Sequence, residues 1–140
     1  MQKDSSSYGA VRPSWDKKDC SVRAVAVAIG ATYEQASAIY AAAGRQTKKA
    51  TPVSISITVC ETWLRMIPRP GQMRLAEFVV LNGRGSFVVR KKGHMFAIID
   101  GVVQDWEGGL TKPGTIVESA WEVTEETKAR LAKALAILPS

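Results

Sequence analysis

Cysteine and histidine are scarce in this sequence: 140 residues hold two cysteines, Cys20 and Cys60, and one histidine, His94. With no Cys-x-x-Cys pair and no clustered Cys/His spacing, neither a disulfide framework nor a structural zinc site is indicated. No apolar run approaches the ~20 residues that a membrane helix requires. Residues 1–8 include a lysine but no apolar signal core, so a reducing, cytoplasmic compartment is expected. A glycine-rich phosphate loop is also missing, as is any alternating aromatic and basic stripe. No metal or organic cofactor is expected.

What remains is ordinary for a globular chain, with 46% hydrophobic and 23% charged residues. A chain of this length buries roughly two-thirds of its unfolded surface and needs no metal or disulfide to stay folded. The net charge is +6, concentrated at Arg45, Lys48 and Lys49 and again at Arg84, Arg90, Lys91 and Lys92. Such clusters can attract nucleic acid. With no readout motif beside them, they read first as a solvated surface, and a nucleic-acid partner is not favoured.

Residues 1–14 are polar, contain Ser5, Ser6 and Ser7 in a row, and read as a flexible segment ahead of one domain over 15–140. Asp19 can cap a helix running from Cys20 to Ile29, apolar nearly all round and therefore buried, with Gly30 as its stop. Thr32, with Gln35 three residues on, makes a capping box for a helix over 33–43. Thr51-Pro52 starts a further helix over 53–66, although Ile55, Ile57, Thr58 and Val59 also suit a strand. A short helix over 74–81 ends at Asn82-Gly83.

Extended segments follow at 86–90, 95–99 and 102–106, with a loop over 108–114. Asp100-Gly101 is a strong two-residue hairpin signal, because a primed turn needs positive φ at both positions. Thr124 opens a final amphipathic helix reaching about residue 138, with acids at its positive end. Helices first and an antiparallel sheet afterwards define an α+β protein.

A thiol in the first turn of a helix feels the positive end of the backbone dipole, which favours the nucleophilic thiolate. Cys20 occupies that position, and His94 opens a strand from which an imidazole can be presented. Cys60, among Ile57, Val59, Trp63 and Leu64, reads as a small buried apolar residue. If Asp100-Gly101 is the turn, Ile99 faces Val102, Phe96 faces Asp105 and His94 faces Glu107. All four of His94, Phe96, Asp105 and Glu107 then project from one face. Asp105, diagonal to His94, is the expected partner of the imidazole, with Glu107 second and Asp100 the poorest choice. The Cys20 backbone N–H is a natural oxyanion donor; Ser14 or Lys17 are the upstream side chains available to help it.

These segments resemble small phage-encoded papain-like cysteine peptidase domains. The likeness rests on Asp19-Cys20-Ser21-Val22-Arg23-Ala24 with Gly30-Ala31-Thr32-Tyr33-Glu34. Ala43-Gly44-Arg45 and Leu75-Ala76-Glu77-Phe78 continue it, and Gly93-His94 through Asp100-Gly101 to Asp105-Trp106 close it. It spans most of residues 15–121. It implies a papain-like fold with a Cys20–His94–Asp105 triad: a hydrolase of peptidase, isopeptidase or amidase type acting on a protein or peptide of host or phage. The alternative is a catalytically silent domain of the same fold, serving as a phage binding or structural protein, since fold alone does not establish activity.

Overall fold

In the computed structural model the described residues are 2–3, 20–46, 51–68, 73–104 and 112–137. The expected cap Asp19, the segment 1–14 apart from residues 2–3, and Asp105 and Glu107 lie outside them.

Helix α1 (Cys20–Ile29) takes the bounds its apolar run dictates, and its residues 21–28 are all buried. Gly30 stops it at φ +72°, a conformation that costs glycine little. Helix α2 (Tyr33–Ala42) carries the capping box: Thr32 Oγ1 accepts from the Gln35 N–H at 3.1 Å, and Gln35 Oε1 accepts from the Thr32 N–H at 2.9 Å. Helix α3 (Val53–Trp63) starts behind Pro52 and is shorter than the expected 53–66. The chain turns extended at Leu64, whose side chain is buried. Arg65–Met66 then form strand β2, opposite Glu122 and Trp121. Local periodicity favoured more helix, but pairing with a strand more than fifty residues away prevails.

Helix α4 (Leu75–Leu81) buries Leu75 and Phe78. Strands β3 (Ser86–Lys91), β4 (His94–Ile99) and β5 (Val102–Gln104) form a meander. Asp100 at φ 48° and Gly101 at φ 79° make the primed turn. The register Ile99↔Val102, Ile98↔Val103 and Ala97↔Gln104 is the one expected from that turn. Strand β6 (Ser119–Val123), which the sequence did not announce, pairs with β3, and helix α5 (Glu125–Ile137) follows it. With β1 (Gln2–Lys3) parallel to β5, the order is β1-β5-β4-β3-β6-β2, and the other pairings are antiparallel.

The fold class is α+β. Helix α1 covers one face of the sheet, packing with Val88, Met95, Ala97, Trp121 and Val123. Alanines on both sides, among them Ala24, Ala28 and Ala97, let helix and strand approach closely. Helix α4 covers the other face through Leu75 and Phe78, against Phe87, Val89, Phe96, Ile98 and Val103. Among the described residues no helix is long and apolar enough to cross a membrane.

Candidate active site

Cys20 is the first residue of α1, half-buried, with its side chain against the core on the α1 side of the sheet. Its position at the helix start leaves backbone N–H groups of the first turn without helical acceptors. Cys60, in contrast, is fully buried in α3, where burial above all, and then the nearby Glu61 charge, push its thiol far up. Cys20 therefore has the access that Cys60 lacks, as the sequence suggested. Both thiols are free.

His94 is the first residue of β4 and half-buried. It follows the Lys92-Gly93 turn and pairs directly with Lys91 on β3. Its ring stacks on that of Phe96, with centroids 6.0 Å apart and planes 24° from parallel. Phe96 belongs to the face covered by α4, whereas Met95 and Ala97, the alternate residues, meet α1. Helix α1 and strand β4 are thus packed on one another, but the imidazole and the thiol start from opposite sides of the strand. Asp105 and Glu107 lie outside the described residues.

The residues that sequence reasoning missed lie beneath Cys20. The Tyr40 hydroxyl, from α2, donates to the Ser21 carbonyl at 3.0 Å. The Ser56 hydroxyl, from α3, donates to Ser21 Oγ at 3.0 Å. Tyr40, Ser21 and Ser56 are buried, at 0%, 3% and 4% exposure. Burial raises the Tyr40 hydroxyl well above its ordinary range, helped by Cys60 and Cys20, while the Ser21 bond and Arg45 act in the opposite direction. A serine in a helix that is apolar apart from it and Arg23 is the one signal that pointed here.

A groove of about 480 Å³ lies between the end of α1 and α5, lined by residues that include Ile29, Gly30, Lys128, Leu131 and Leu135. Nine residues along α1, or ~14 Å, separate Ile29 from Cys20, so the groove is not part of this site. Among the described residues no three His, Cys, Asp or Glu side chains converge to hold a metal. Comparison with known protein families, with characterised proteins and with solved structures finds no match.

Proposed function

We propose that the chain is a papain-like cysteine hydrolase of peptidase, isopeptidase or amidase type, with Cys20 as nucleophile, His94 as acid–base and Asp105 orienting the imidazole. One observation carries the reading: the central helix that opens at a half-buried cysteine packs on the strand that opens at the only histidine. In the proposed reaction His94 takes the thiol proton and the Cys20 sulfur attacks the carbonyl carbon. The developing oxyanion accepts from the Cys20 N–H at the helix start. The imidazolium returns its proton to the leaving amine, the C–N bond breaks, and water hydrolyses the thioester. The substrate would be a host or phage protein in a reducing, cytoplasmic setting.

A second reading, a catalytically silent domain of the same fold that serves phage binding or structure, is favoured by the stacking of His94 on Phe96. Phe96 belongs to the cluster under α4, so that contact lies on the side of β4 away from α1. Alkylation separates the two readings. An activated Cys20 reacts with iodoacetamide at pH 6 faster than free glutathione does and far faster than Cys60, and His94→Ala slows it while leaving Cys60 unchanged. A Cys20 no faster than glutathione, and indifferent to His94→Ala, overturns the hydrolase reading.

A further inference from the structure

The first turn of a helix is where it frays, because its N–H groups have no partner inside the helix. A nucleophile placed there inherits that looseness. In this chain the residue after the nucleophile is tied twice. Tyr40 on α2 donates to the Ser21 carbonyl, and Ser56 on α3 donates to the Ser21 hydroxyl, both at 3.0 Å. Each anchor is itself held. The Ser56 hydroxyl also lies 3.4 Å from the Pro52 carbonyl at the start of α3. The Arg45 N–H donates to the Tyr40 carbonyl at 3.0 Å, and Arg45 Nε donates to Thr51 Oγ1 at 2.6 Å, joining the end of α2 to the start of α3.

Stability alone does not call for this arrangement. Three hydroxyls sit in a core where phenylalanine and alanine would fill nearly the same space. A buried hydroxyl gives little net stability even when paired and is costly when left unpaired. What the pairing supplies is direction: it fixes where one residue of α1 sits relative to α2 and α3.

We infer that Tyr40 and Ser56 are positioning residues that act through Ser21 to lock the first turn of α1 and hold Cys20 for attack. The inference rests on the cysteine-hydrolase reading. Neither hydroxyl touches substrate. Because burial raises its hydroxyl, Tyr40 remains a neutral donor throughout the pH range in which a thiol is assayed. The other titratable or charged groups that act on the Tyr40 hydroxyl are Cys60 on α3, Cys20 on α1 and Arg45 after α2.

The test uses the full chain with Tyr40→Phe and Ser56→Ala. Val59→Ala serves as control, removing apolar bulk from the same buried core without touching a hydroxyl. Iodoacetamide alkylation of Cys20 is followed from pH 5.5 to 9, together with the melting temperature. Tyr40→Phe and Ser56→Ala are expected to slow Cys20 by about 3–10-fold at pH 6 and much less at pH 9, since a frayed helix start supports the thiolate less. Val59→Ala should lower the melting temperature at least as much and leave the alkylation profile on that of the parent. Hydroxyl variants whose profiles superimpose on an activated parent overturn the inference alone, as does a control that shifts equally. A parent no faster than glutathione overturns the hydrolase reading and this inference with it.

Discussion

The two faces of the central sheet are built differently. On the α4 face the fully buried packing is apolar, with half-buried His94 at its margin: Leu75 and Phe78 meet Phe87, Val89, Phe96, Ile98 and Val103. Phe78 and Phe87 pack edge to face, with ring centroids 5.5 Å apart and planes at 86°. On the α1 face buried polar atoms interrupt the apolar packing. Ser21, Ser56 and Tyr40 bond to one another, while Trp121 Nε1 and Gln104 Oε1 are buried without a hydrogen-bond partner among the described residues. The paired hydroxyls add little to stability and much to specificity of arrangement, whereas the unpartnered atoms cost stability. Both faces bury an apolar core, and the α1 face adds hydrogen-bonded hydroxyls that fix positions.

The largest effect expected to test this contrast concerns the proposed orienting residue. Asp105→Asn should lower Cys20-dependent turnover of a peptide-library substrate by ~10²–10⁴-fold, as loss of a triad orienter can. Its circular dichroism should match the parent. Asp100→Asn is the control. Asp100 Oδ1 accepts the Gly85 N–H at 2.9 Å and its backbone lies at φ 48°, both of which asparagine reproduces. If Asp100→Asn is the inactivating change and Asp105→Asn is silent, the imidazole has a different partner.

Stability should separate the faces next. Phe96 is fully buried on the α4 face, and Phe96→Ala should cost about 3–5 kcal/mol in urea unfolding. Tyr40→Phe, which removes one buried hydroxyl on the α1 face, should cost only about 1 kcal/mol. Equal losses would make the Tyr40 hydroxyl a stabilising group rather than one that fixes position.

The smallest effect is a pH slope. Burial keeps the Cys60 thiol protonated in the fold, whereas the unfolded chain releases that proton above its ordinary value of about 8.5. The folded state then binds more protons, so stability is full below that pH and falls as pH rises, by up to ~1.4 kcal/mol per unit. Urea melts at pH 7, 8.5 and 9.5 read the slope. Cys60→Ala should lower stability overall and flatten the decline, and an unchanged slope would assign it to other groups.

The sequence foretold what is local. Gly30 ends α1, Thr32 and Gln35 open α2, and Asp100-Gly101 sets the β4–β5 register because each signal acts within a few residues. It did not foretell β2 or β6. Leu64-Arg65-Met66 continues a helical apolar pattern, and only the distant Trp121 and Glu122 draw it into the sheet. At the candidate site the ends of elements were legible, which placed Cys20 and His94 correctly at the first positions of α1 and β4. Which side of β4 meets α1 was not, since Met95-Phe96-Ala97-Ile98 is apolar on both faces and offers no alternation to read. Tyr40 and Ser56 were missed for a related reason: a hydroxyl on a helix looks the same in sequence whether it faces water or another helix.

The strand order has one further outcome, in self-association. Among the described residues both rims of the sheet are two-residue strands, Gln2–Lys3 on one side and Arg65–Met66 on the other. A second chain docking along the Arg65–Met66 rim meets a backbone template two residues long, against the six of β3 or β4. Two residues offer too few ladder bonds to offset the loss of freedom on association, and the charge of Arg65 makes its rim less adhesive still. Among the described residues the longest strands of this sheet are also its innermost, which withholds from neighbouring molecules the surface best suited to fibril growth.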